Sequence, residues 1–153
     1  IQPFIAQGHK AILYQGWQDP STNAGPTIRY YGALARANGG AEKLGEAVRM
    51  FMVPGMYHCR GGPGADLFGG SGHVPLEPKP ESDVLWALIR WVEQGQPPAS
   101  LVATRIEGDA PRFTRRLCPF PQSARFDGRG DPADAASWTC EEDPLLRAML
   151  ARQ

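Results

Sequence analysis

The sequence has no surplus of charge: 16 Lys and Arg balance 16 Asp and Glu over 153 residues. A domain that holds nucleic acid through its overall charge carries a basic excess, so that class is excluded. Long hydrophobic runs are missing too; none approaches the roughly 18 consecutive apolar residues of a membrane-spanning helix, and no membrane partner is expected. There is no internal repeat and no heptad pattern. The stretch Ile1 to Lys10 lacks a signal-peptide pattern, as a mature exported chain also would. Cysteine and histidine are scarce, with three of each. None of the serines (Ser21, Ser71, Ser82, Ser100, Ser123, Ser137) sits in a G-x-S-x-G nucleophile elbow. Glycine and proline, by contrast, are plentiful: 18 and 15, or 33 of 153. The chain should be rich in loops, with a 42% hydrophobic fraction that suffices for the core of one modest domain.

The odd cysteine count implies a partner elsewhere or a free thiol. Cys118 and Cys140 bracket a segment rich in Pro, Gly and Asp that builds little core of its own. A bridge between them would compensate, by about 3 kcal/mol in the chain-entropy account; the alternative is two unpaired thiols.

Along the chain, Lys10-Ala-Ile-Leu-Tyr-Gln-Gly16 reads as a buried strand ended by glycine. A turn at Trp17–Ser21 follows, then a helix with Pro26 in its first turn, apolar residues at Ile28, Tyr31 and Leu34 or Ala35, and a stop at Gly39-Gly40. Val48–Val53 is the second strand, and a glycine-rich loop runs from Gly55 to Pro80. Asp83 to Gln94 is the clearest helix, with Ser82 a candidate N-cap, Gly95 past its end, and an apolar face that should pack on a sheet. Beyond Gln96 the chain reads as irregular, with short strands near Leu101–Arg105 and a capped helix from Asp143-Pro144 to Leu150. This alternation is that of an α/β fold with a parallel sheet. Two strands make an incomplete sheet, so the chain reads as the last part of a larger domain.

In open α/β sheets, ligands and catalytic groups gather at the carboxyl ends of the strands. Asp19 follows the first strand and His58 the second. A carboxylate bonded to imidazole Nδ1–H fixes the tautomer and leaves Nε2 to take a proton from a nucleophile. The order Asp then His fits the second and third members of an α/β-hydrolase triad, whose serine comes first. Each residue also has an ordinary reading: Asp-Pro is a common turn former, and a histidine in a glycine-rich loop is commonly solvated. Ser71, in Gly69-Gly70-Ser71-Gly72-His73, is the nearest approach to a nucleophile motif, but it lies after the histidine and in a loop. His9 and His73 read as surface residues. His58, Cys59 and His73 lack paired metal-ligand spacing. Trp17 either lines the site or packs. Gly61-Gly62-Pro63-Gly64 lacks the lysine of a phosphate cradle and reads as a chain bend.

The chain resembles the C-terminal part of the tannase and feruloyl esterase family, which includes the mono(hydroxyethyl) terephthalate hydrolases. The resemblance is carried by Gly8-His9-Lys10-Ala-Ile-Leu-Tyr-Gln-Gly-Trp-Gln-Asp-Pro20, Tyr30-Tyr31 and Arg49-Met-Phe-Met-Val-Pro-Gly-Met-Tyr-His-Cys-Arg-Gly-Gly-Pro-Gly64. It continues through Ala87–Pro98, Arg116–Gln122, Phe126–Asp131 and Trp138–Cys140. The pairing of a Gly-Trp-x-Asp-Pro turn with a Pro-Gly-Met-x-His-Cys loop is specific where neither half alone would be.

The resemblance implies the C-terminal portion of an α/β-hydrolase domain over residues 1–100, and a disulfide-bridged, irregular extension over 101–153. It implies that Asp19 and His58 are triad members and that Cys118 and Cys140 bridge each other. It further implies that Cys59 pairs with a cysteine beside the catalytic serine, upstream of Ile1. In the family, a lid carrying substrate contacts and calcium also lies upstream, so no cofactor is expected in this chain. The expected enzyme is a secreted or periplasmic serine esterase acting on small aromatic esters, with the upstream part of the polypeptide as its partner. Without that part the chain should be inactive, since loss of a triad nucleophile costs on the order of 10⁶ in turnover. Two further readings stand: a non-catalytic module that kept the scaffold, which predicts Asp19 and His58 out of reach of each other, and a hydrolase using Cys59.

Overall fold

A computed structural model describes residues 1–70 and 77–152. The readings made for Ser71 and His73 lie outside the described residues. The chain is α/β. Two strands, β1 (Ala11–Gly16) and β2 (Val48–Val53), pair in parallel from Ala11 opposite Val48 to Gly16 opposite Val53. A short helix α1 (Gln2–Ala6), absent from the sequence expectations, precedes them. They are linked by α2 (Ala24–Ala37) and a single turn, α3 (Ala41–Leu44).

β2 is buried on both faces, and its side chains alternate. Val48, Met50 and Met52 join Ile28, Tyr31 and Leu34 of α2 in one cluster. Phe51 and Val53 face the opposite way, with Met56, Phe68 and Ala87. The period of two along a strand sends successive residues into separate cores, which is why the segment is apolar at every position but Arg49. Helices thus lie on both sides of the pair, and both loops leave the sheet at one end.

The second long helix, α4 (Val84–Gln94), is capped by Asp83, whose carboxylate accepts from the Leu85 and Trp86 amides; the cap is not Ser82. Gly95 ends it in the left-handed conformation, φ 67°. Its apolar face is not covered as expected. Ala87 and Trp91 are buried while Leu85, Trp86 and Val92 are exposed, because a sheet two strands wide covers only a narrow stripe of a helix.

The region beyond Gln96 is more regular than its composition suggests. β3 (Leu101–Glu107) and β4 (Ala110–Leu117) form one antiparallel hairpin, and β5 (Gln122–Phe126) pairs with β6 (Trp138–Glu142). The Phe120 amide donates to the Met50 carbonyl at 2.7 Å, so the segment after β4 closes the outer edge of β2. A last helix, α5 (Pro144–Ala151), is capped by Asp143 and rests Leu146 and Leu150 on the first cluster.

Cys118 and Cys140 form a disulfide, joining the end of the first hairpin to β6. Replacing both by alanine is expected to cost about 3 kcal/mol. For a domain of this size that lowers the melting temperature by about 6–12 °C, measurable by calorimetry. An unchanged melting temperature would show that packing alone holds the second hairpin.

Candidate active site

The site forms because the parallel register brings two chain ends side by side. Past Gly16 and Val53 the strands become loops, and these loops stay bonded to each other. The Trp17 amide donates to the Val53 carbonyl at 3.0 Å and the Gln18 amide to the Met56 carbonyl at 3.2 Å. The Gly55 amide donates back to Gln18 Oε1 at 2.5 Å. Gly16 has no room for a side chain: a Cβ there would lie 2.3 Å from the carbonyl oxygens of both Met56 and Tyr57. Glycine at the end of β1 therefore lets the histidine loop sit against the aspartate loop.

Asp19 lies in the turn after β1. Its Oδ1 accepts from the Ser21 and Thr22 amides at 2.8 and 2.9 Å, an Asx-type turn. Its Oδ2 lies 2.7 Å from His58 Nδ1. The two sequence candidates thus meet. The carboxylate side chain is 1% exposed and the imidazole 59%, so the pair is dry at the acid and open at the base. Burial pushes the Asp19 carboxyl up, but hydrogen bonds from the Thr22 amide, His58, the Ser21 amide and Gln15 outweigh it and hold it at about 2, against an ordinary 3.8. An ionised carboxylate only accepts, so Nδ1 carries the proton and the Nε2 lone pair is free for a substrate-side group.

The histidine loop is braced from behind. Arg105 on β3 donates to the Gly62 carbonyl at 2.5 Å and lies 3.9 Å from Asp66, whose other oxygen accepts from the Gly61 amide at 2.6 Å. The Tyr57 amide donates to the Gly61 carbonyl at 3.1 Å and the Gly64 amide to the Gly55 carbonyl at 3.0 Å, which closes the loop on itself. The bend expected at Gly61–Gly64 is this closure. Sequence reading passed over Arg105, Asp66 and Gln15. Only Gln15 left a signal, as a polar residue inside an apolar strand.

Cys59, next to His58, is a free thiol and the one described non-glycine residue at positive φ, 64°. That conformation costs an L-residue roughly 1–2 kcal/mol. His9 is exposed, as expected, and lies against Phe4. Trp17 does two jobs. It packs on the first core cluster, and it lines a cleft of about 450 Å³ with Phe113, Arg115 and Trp138. Neither Asp19 nor His58 lines that cleft. Among the described residues no three His, Cys, Asp or Glu side chains cluster so as to hold a metal ion.

Residues 1–141 match a family model described as tannase and feruloyl esterase. An uncharacterized esterase of Xanthomonas campestris is 38% identical over 94% of this chain and 28% of its own length. The mono(2-hydroxyethyl) terephthalate hydrolase of Piscinibacter sakaiensis is 39% identical over 94% of this chain and 22% of its own length. The crystal structure of an esterase from Aspergillus oryzae superposes with a TM-score of 0.85 at 30% identity, covering 92% of this chain and 29% of that one. The chain therefore spans between a fifth and a third of the length of these relatives.

Proposed function

This chain belongs to the tannase and feruloyl esterase family, and from that premise we propose that it supplies the acid and the base of a serine carboxylesterase triad. The observation that carries the reading is the 2.7 Å bond between His58 Nδ1 and Asp19 Oδ2 across two adjoining loops. A module that had merely kept the scaffold has no need to hold this pair in contact, with the second imidazole nitrogen left open.

In the proposed reaction a serine supplied by another part of the full-length polypeptide attacks the ester carbonyl. His58 Nε2 takes the serine proton as the bond to carbon forms, and Asp19 stabilises the resulting imidazolium. The tetrahedral species collapses, His58 returns the proton to the departing alkoxide, and the alcohol leaves. Water, deprotonated by the same nitrogen, then attacks the acyl-enzyme; the carbon–serine oxygen bond breaks, His58 returns the proton to the serine oxygen, and the acid leaves. Asp19 stays ionised throughout.

The proposed substrates are small esters of aromatic acids of the feruloyl, galloyl or terephthaloyl type. Cys59 is assigned to a disulfide with a cysteine beside that serine, which would tie the histidine loop to the nucleophile and hold the strained Cys59 backbone. Calcium is assigned to the lid, outside these residues, and no step passes through it. The Cys118–Cys140 bridge supports an oxidising compartment, secreted or periplasmic.

The test is an assay of the full-length polypeptide on methyl ferulate, methyl gallate and mono(2-hydroxyethyl) terephthalate, with and without a serine-directed phosphonate. Hydrolysis of at least one ester, abolished by the phosphonate, is expected. Absence of both hydrolysis and labelling would overturn the reading.

A further inference from the structure

The geometry points to Gln15 as a positioning residue for the Asp19–His58 pair: its side-chain amide holds the carboxylate oxygen that binds His58. This inference rests on the esterase reading of that pair. Gln15 is the penultimate residue of β1. Its Nε2 lies 3.0 Å from Asp19 Oδ2 and 3.1 Å from the Thr22 carbonyl oxygen. Both neighbours only accept, so the NH₂ end of the amide must face them. At its other end, Oε1 accepts from the Thr27 hydroxyl at 3.1 Å. Turning the amide over would set its oxygen against two oxygens, so the network admits one orientation. Thr27 lies in the first part of α2, and the chain of bonds runs from that helix through β1 and the aspartate to the histidine.

Two consequences follow for Asp19. The first is rotational. Oδ1 is pinned by the Ser21 and Thr22 amides and Oδ2 by Gln15 and His58, so four donors fill the carboxylate. The second is electrostatic. The charge on Oδ2 is shared between an amide and an imidazole. Among the described residues, His58 is the only titratable group of those that act on Asp19. Tyr57, Cys59 and Arg60 are the titratable side chains that flank His58 in the chain.

Removing the amide leaves more of the Oδ2 charge to His58. The imidazolium is then better stabilised, and the base holds its proton to higher pH. The carboxylate also turns more freely, so the imidazole is aimed less well. Loss of rate and an upward shift of the acid limb should therefore come together. A group with only a packing role would lower stability and rate without moving the pH profile.

The test uses Gln15→Met and Thr27→Val in the full-length polypeptide, with methyl ferulate as probe and His58→Ala as control. For Gln15→Met, kcat is expected to fall about tenfold with little change in KM. The acid limb of kcat/KM should rise by about 0.5 pH unit. Thr27→Val, which removes only the lock on the amide, should shift the limb the same way by less, and it carries the test if the methionine variant folds poorly. Unshifted profiles in both variants, with His58→Ala inactive, would sink the Gln15 inference and leave the triad standing. An active His58→Ala enzyme would instead overturn the esterase reading beneath it.

Discussion

Replacing His58 by alanine in the full-length polypeptide should reduce kcat for an aromatic ester by a factor on the order of 10⁶, with KM nearly unchanged. The size follows from the role. In the proposed mechanism the imidazole takes the serine proton and returns it to the leaving alkoxide, so both halves of the reaction need it. KM is spared because His58 is one side chain at the mouth of the site, and most ester contacts are expected from the lid. The side chain belongs to neither core cluster of this chain, so its removal should leave the melting temperature nearly unchanged. A variant retaining more than about a tenth of the activity would remove the general base from this position and the mechanism with it.

Asp19→Asn should cost on the order of 10⁴ in kcat, and the local geometry dictates why. The turn donates two backbone amides to Oδ1, from Ser21 and Thr22, so the asparagine oxygen must occupy that side. Its NH₂ group then faces His58. A donor opposite Nδ1 forces the imidazole to accept there and to carry its proton on Nε2, where the serine proton would have to go. The substitution leaves the fold in place and inverts the tautomer.

The same change has a signature in acid. The Asp19 carboxyl is depressed from 3.8 to about 2 in the folded protein, so the unfolded chain binds the proton first. Its contribution to stability is therefore complete above the ordinary value, and it drains away as pH falls through about 2. The variant lacks this term. The stability gap between the two proteins should shrink across that window, as acid titrations followed by circular dichroism would record. A gap that stayed constant would mean that the carboxylate is not held ionised by its donors.

Legibility in the sequence differed from element to element for physical reasons. β2 could be read to the residue because burial on both faces leaves a run, apolar at every position but Arg49, that Pro54-Gly55 then cuts off. The helix starts near Asp83 and Asp143 were legible because short polar side chains satisfy a first turn, although the first cap is Asp83 and not the expected Ser82. The short strand expected near Leu101–Arg105 is β3, but its partner β4 and the pairing of β5 with β6 were missed. Arginine-rich strands such as β4, Ala110–Leu117, carry little apolar alternation of their own, and they pair because Leu101, Ala103 and Leu117 are drawn into the second core cluster. Only Ala87 and Trp91 of α4 are buried, because periodicity reports that a face is apolar, not how wide a surface is there to receive it.

The sequence by itself determined which side chains have the chemistry: one aspartate and one histidine, each placed after the end of a strand, and two cysteines spaced for a bridge. Local rules sufficed for these, since strand ends, turn formers and caps are encoded within a few residues. Only the tertiary structure decided that the aspartate and histidine touch, that Gln15 aims the carboxylate, and that Arg105 braces the loop behind His58. Those contacts join positions 39 to 43 residues apart, or depend on which way one amide faces. Parallel pairing of β1 with β2 creates the first of them, because register is a property of two segments together and belongs to neither alone.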